Sequence, residues 1–186
     1  MPQGGPIGPD PERRRVLDPD KTLSLLPIRP HHLVMDVGCG NGFFTFALAR
    51  ILNCGTLYAV DMQSQMLQDV RERVTREQIG NIRVVLSEES HIGLPEKSLD
   101  GVFSAFMLHE TEDPPGFLRL LKGLLKPGGW LALLEWHKKE TESGPPVADR
   151  IDERDCLRLL KGAGFKVVSR PRLNDDHYAF IALRPQ

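Results

Sequence analysis

Between Leu33 and Trp136, short apolar runs alternate with longer segments whose apolar residues recur at helical spacing. LVMDV (33–37), TLYAVD (56–61), IRVVL (82–86), GVFSAF (101–106) and WLALLEW (130–136) read as strands, the last following a Pro127-Gly128-Gly129 turn. The spacing predicts helices over Gly42–Leu52, Ser64–Ile79 and Pro114–Leu125. Strands joined by helices of this length imply parallel crossovers, and hence an open α/β sheet. The central runs are apolar almost throughout, as strands covered on both faces should be.

The rhythm changes near the C-terminus. After a helix predicted over Asp152–Ala163, FKVVSRPRL and HYAFIAL are separated only by Asn174, Asp175 and Asp176. So short a link cannot carry a parallel crossover and predicts an antiparallel hairpin. Arg-Pro-Arg in the first of these segments argues for a bulge or an edge position.

Length and composition bound the rest. At 186 residues the chain is expected to form one domain, over 16–186, behind a disordered Pro/Gly-rich tail at 1–15. Asp18 followed by Pro19 predicts a short helix with Leu23, Leu25 and Leu26 offering apolar contacts. Lys+Arg 24 against Asp+Glu 25 leaves a net charge of −1, so nucleic acid is not expected as a partner. No run is long and apolar enough to suggest a membrane span, and MPQGGPIGP lacks the parts of a signal peptide, which places the protein in the cytoplasm. Cys39, Cys54 and Cys156 are scattered with no metal-type spacing, so no metal site is expected and the thiols read as reduced.

Three glycines, Gly38, Gly40 and Gly42, stand in five residues at the junction of the first strand and helix. A turn alone needs one, whereas backbone lying against a ligand needs several, and this junction is where open parallel sheets bind ligands. A dinucleotide loop would read GxGxxG, but Phe43 occupies the third glycine position. The pattern is instead DxGxGxG, from Asp36, with Asp61 closing the next strand where a carboxylate can accept both ribose hydroxyls.

VMDVGCGNG, AVDMQSQML, LPEKSLDGVFSAFMLHE and LKPGGWLALLE together resemble the motifs of the class I S-adenosylmethionine (SAM) dependent methyltransferases. More narrowly, they are similar to the small-molecule branch typified by the ubiquinone/menaquinone biosynthesis enzymes. The resemblance runs from about Leu33 to Leu183. It implies a Rossmann-like, doubly wound, mostly parallel seven-stranded sheet ending in a C-terminal antiparallel hairpin. It also implies SAM as cofactor, S-adenosylhomocysteine as product, and in-line transfer of a methyl group to a small-molecule acceptor.

Carried over by position, Gly38, Cys39, Gly40 and Gly42 would let the methionine part of SAM lie on the loop. Asp36 would help hold its amino group through water, Asp61 would grip the ribose, and Met62 would pack against adenine. Where the family usually has Asp-Ala after the third strand, this chain has Glu88-Glu89; Glu88 can bond the adenine amino group with a longer arm, and Glu89 replaces a small residue. Phe106 should line the methionine pocket.

His109 and Glu110 follow the fourth strand, where either could orient an acceptor or take its proton. The alternative is a hydrogen-bonding loop histidine and a glutamate that favours a nearby helix start. Glu135 and His137 lie at the end of the fifth strand, another edge of the same crevice, and face one side by strand alternation. His177 and Tyr178 read as packing and surface residues, and His31 and His32 as solvent-facing. Asp113 with Pro114 reads as a helix cap and first helical position rather than a DPPY-type motif. Cys39, between close-packed glycines, reads as structural rather than nucleophilic.

The loop His137–Ile151 either covers the site or merely connects. With no large insertion in the chain, the acceptor cavity is expected to be shallow, open, or completed by a second subunit, making a homodimer one option. Two other functions compete: a non-catalytic SAM-binding protein of the same fold, and an NAD-dependent oxidoreductase, which Phe43 and the terminal hairpin disfavour.

Overall fold

The computed structural model describes residues 16–88 and 90–186. The tail expected over 1–15, and Glu89, lie outside the described residues. The strands are β1 (Leu33–Val37), β2 (Thr56–Asp61), β3 (Ile82–Leu86), β4 (Leu99–Ala105), β5 (Leu125–Trp136), β6 (Lys166–Ser169) and β7 (His177–Leu183). The helices are α1 (Pro19–Leu23), α2 (Thr45–Ile51), α3 (Ser64–Arg76), α4 (Pro114–Leu124) and α5 (Glu153–Gly162). The strands form one seven-stranded sheet in the order β3-β2-β1-β4-β5-β7-β6, parallel from β3 to β5 and antiparallel at β7 and β6.

Alternation along the strands sends successive side chains to opposite faces. Val34, Leu57, Phe103 and Leu134 pack with α1, α2 and α3 on one face, while Met35, Val60, Val102 and Leu133 pack with α4 and α5 on the other. Strand order reverses between β1 and β4, so a crevice opens outside their carboxyl ends.

Local chemistry sets the boundaries. Asp18 caps α1 by accepting from the N–H groups of Asp20 and Lys21, with Pro19 at the first helical position. Asp113 caps α4 in the same way, accepting from the Gly116 N–H at 2.9 Å, and Phe117, Leu118, Leu121 and Leu124 form its buried stripe.

Several boundaries depart from the sequence expectation. Helix α2 begins at Thr45 rather than Gly42, because the loop turns through Gly42 at φ +90° before any helical bonding starts. Helix α3 stops at Arg76, where Gln78 at φ +52° swings Ile79 back to bond the Val74 carbonyl and pack on the core. The Pro127-Gly128-Gly129 turn is absorbed into β5, because Gly128 and Gly129 bond Arg184 beyond the end of β7. Strand β6 holds only four residues, and Arg170-Pro171-Arg172 lies past it at the sheet edge, with a register shift between Val167 and Ser169.

Candidate functional site

The turn after β1 is held by the neighbouring strand. The Val60 carbonyl accepts from the N–H groups of both Gly38 and Cys39, at 2.8 and 3.0 Å. Asp61, at the end of β2, accepts from the Gly40 N–H at 2.9 Å through one carboxylate oxygen and from the Gln63 N–H at 2.8 Å through the other. A carboxylate has about four acceptor positions, so both oxygens keep capacity for a ligand.

The three glycines serve different ends. A side chain at Gly40 would project into open space beside a cavity of about 260 Å³, from a backbone at φ +52°. A side chain at Gly38 would collide with Met107, and one at Gly42 with the Phe46 ring. Gly42 does not line the cavity, so its smallness serves the packing of α2 against the loop. The cavity is walled by the ends of β1, β2, β3 and β4.

Asp36 lies on its floor, buried, and accepts from the Thr45 hydroxyl at 2.6 Å. Burial is the main force on its carboxyl and pushes it up to about 7; the Thr45 bond opposes this and the charge of Asp61 adds to it. Cys39 lines the cavity too, but burial first, and then Asp36 and Asp61, push its thiol far above the ordinary range. Such a thiol is not a nucleophile at neutral pH, in keeping with a structural role.

Met62 reaches the rim, half exposed, and Glu88 stands opposite in a tight bridge with His91. Phe106 closes the end of β4 at φ +62°, a conformation costly for an aromatic residue and common at functional sites. Its N–H donates to the Leu134 carbonyl at 2.9 Å, and its ring packs on Trp136 and His177.

His109 and Glu110 part company. Glu110 lines the cavity, whereas the His109 side chain is 5% exposed and lies behind the wall, its Nδ1 2.7 Å from a buried Glu135 oxygen. Burial disfavours the imidazolium, but the hydrogen bond and charge of Glu135, with Glu110 and Asp149, outweigh it and raise the His109 pKa. Burial first, then Glu135 and Asp61, raise the Glu110 pKa against the pull of His109.

Several expectations need correction. Glu135 is buried rather than facing the crevice, and the His137 ring packs at a tilt against Tyr178 outside the cavity. His177 and Tyr178 are packing residues as expected but are buried rather than at the surface, the tyrosine hydroxyl donating to the Ile151 carbonyl. His31 is exposed, but His32 is half-buried, accepting from the Trp130 indole. The loop His137–Ile151 adds nothing to the cavity lining; it is gathered around buried Arg150, which donates to the carbonyls of Pro145, His137 and Lys139 and to the Thr141 hydroxyl.

Sequence reasoning missed Asn41, Gln63, Met66, Ser87 and Phe117, which also line the cavity. Asn41 lies inside the glycine motif and Gln63 two residues beyond Asp61, and that proximity was the available signal. Among the described residues no helix is long and apolar enough to cross a membrane, and no cluster could hold a metal ion.

A family model described as a methyltransferase domain matches residues 35–133. A SAM dependent methyltransferase from Aquifex aeolicus is similar in structure, with a TM-score of 0.89 and 33% identity, covering 94% of this chain and 93% of that one. Among curated relatives, the ubiquinone/menaquinone biosynthesis C-methyltransferase UbiE of Marinomonas sp. is 29% identical over 87% of this chain, and that of Cellvibrio japonicus 30% over the same share. The chain spans 62% of the length of each of these two curated relatives.

Proposed function

Because the chain belongs to the SAM-dependent methyltransferase family, we propose that it transfers a methyl group from SAM to a small-molecule acceptor. The supporting observation is the juncture of Gly40 and Asp61: a side-chain-free bend faces open space at the crevice, tied to a carboxylate with acceptor capacity to spare. That cradle fits an adenosyl group with an amino-acid tail.

In this proposal Asp61 takes the ribose hydroxyls, Met62 packs on adenine and Glu88 meets its amino group. Asp36 pairs with the ammonium of the methionine part, which lies along Gly38, Cys39 and Gly40 with Phe106 beyond. Gly42 acts indirectly, by letting Phe46 hold the loop. SAM, when bound, supplies an electrophilic methyl group on a sulfonium, so the chain's task is alignment and the handling of the acceptor's proton. His109 and Glu110 serve that second task.

We assign residues 16–186 to one catalytic domain. The partner is a small molecule rather than nucleic acid, in keeping with the net charge of −1. Free Cys39, Cys54 and Cys156 suit a reducing compartment such as the cytoplasm. A second copy of the chain would complete the open side of the cavity.

Calorimetric titration with SAM, S-adenosylhomocysteine and NAD tests the cofactor assignment. SAM and its product should bind and NAD should not; NAD binding without a SAM response overturns it. Incubating metabolites with isotopically labelled SAM, followed by mass spectrometry, then identifies the acceptor.

A further inference from the structure

Glu135, the penultimate residue of β5, has a fully buried side chain, an expensive place for a carboxylate. Its oxygens accept from the His109 N–H at 3.2 Å and from its own neighbour, the Trp136 N–H, at 3.3 Å, and one meets His109 Nδ1 at 2.7 Å. Tyr178 lies opposite Glu135 in the sheet, but its hydroxyl is engaged by Ile151. Among the described residues no lysine or arginine pairs with Glu135, so His109 is the partner that can supply its countercharge.

The fold sets this meeting. Strands β4 and β5 run parallel with Ala105 beside Leu134, and Phe106 still bonds the Leu134 carbonyl. The turn Leu108–Glu110 then folds His109 back over the end of β5. With Nδ1 fixed, Nε2 faces outward, 3.9 Å from a carboxylate oxygen of Glu110. Glu110, unlike His109, reaches the cavity, beside Phe106, Met107 and Thr111.

From this line of three groups, running from the core to the cavity wall, we propose that Glu135 is a positioning residue for methyl transfer. It holds His109 as an oriented cation behind Glu110, and Glu110 takes the proton that the acceptor loses. The inference rests on the methyl-transfer function proposed above. It narrows the acceptor to molecules carrying a removable proton on the reacting atom: a hydroxyl, an amine or an activated C–H. As that atom's electron pair forms the bond to the methyl carbon, the carbon–sulfur bond breaks and its pair stays on sulfur. The acceptor proton passes to a Glu110 oxygen, leaving methylated acceptor, neutral thioether and protonated Glu110.

The groups around Glu110 are His109, Glu135 and Asp61; those around His109 are Glu135, Glu110 and Asp149. Loss of the imidazolium charge removes the one group among these that favours the Glu110 carboxylate, so Glu110 then titrates at higher pH.

Imidazole and carboxyl NMR titrations of the free protein test this without any acceptor. In Glu135→Gln, His109 should lose its proton at lower pH and Glu110 at higher pH than in wild type, with Glu135→Asp restoring part of both changes. On an acceptor found by labelled-methyl screening, Glu135→Gln should lower kcat about tenfold while leaving KM for SAM unchanged, and Glu110→Gln about 100-fold. The acid limb of the rate profile should move to higher pH in Glu135→Gln and vanish in Glu110→Gln. Reduced thermal stability in Glu135→Gln, with both titrations and the rate profile unmoved, would overturn the proposal. Failure of wild type to methylate anything would instead sink the methyl-transfer function, and the titrations would still decide what Glu135 does.

Discussion

The two walls of the crevice are built from different material. On the side of β1 and β2 the wall is largely backbone: N–H groups of Gly38, Cys39 and Gly40 fixed by a carbonyl and a carboxylate of the adjacent strand. On the side of β4 and β5 it is supported by side chains, with Glu135 holding His109 and the rings of Phe106, Trp136 and His177 packed together. A backbone wall offers one shape to a constant ligand and fails if any side chain intrudes. A side-chain wall can be altered residue by residue, which suits the partner that varies. The walls should therefore be separable by mutation.

Gly40→Val is the severest test of that separation. A β-branched residue at φ +52° carries about 1–3 kcal/mol of backbone strain and places its methyl groups where the ligand should lie. SAM affinity by calorimetry should fall by more than about 100-fold, a loss of ~2.7 kcal/mol. The Glu135–His109 pair should survive, visible as an unchanged His109 titration. Retained SAM binding would mean that the cofactor does not touch the bend.

Asp61→Ala should come next. It removes acceptors for the Gly40 and Gln63 N–H groups and the proposed partner of the ribose, each charge-assisted bond being worth about 1.5–3 kcal/mol. A fall in SAM affinity of roughly 10- to 100-fold is expected, with the sheet intact by circular dichroism. Unchanged affinity would remove Asp61 from the site.

How much of this was legible depended on sequence distance. The strands β1 to β3 stand where their apolar runs predict, and the wall beside β1 and β2 was readable because Asp36, the glycines and Asp61 fall within one strand–helix–strand unit. The wall beside β4 and β5 was not. Glu135 and His109 are 26 positions apart, and only the adjacency of β4 and β5 brings them together. Strand alternation correctly put Glu135 and His137 on one side, but it could not show that this side turns into the core at Glu135. Nor could the sequence show that the Phe46 ring leaves no room for a side chain at Gly42, because a steric need for glycine looks the same whichever atom imposes it.

Asp36→Asn should have the smallest effect on binding and is the most informative about how the floor of the site is charged. In the free protein burial raises the Asp36 carboxyl from its ordinary value to about 7. A folded-state pKa raised in this way contributes stability that is complete below about pH 4, the unfolded carboxyl range, and is lost as pH rises through about 7. Asparagine keeps an oxygen for the Thr45 hydroxyl but cannot ionise. The variant should therefore melt higher than wild type at pH 8, with the difference shrinking toward pH 4. If the ammonium of SAM pairs with the ionised carboxylate, binding to wild type should tighten between pH 5 and 7.5 and release a proton into buffer. The variant should bind roughly five- to tenfold more weakly at pH 7.5, about 1–1.4 kcal/mol, with no proton released from this position. Equal proton release by both proteins would show that Asp36 meets no cation, leaving Asp61 and the bend to carry the cofactor wall alone.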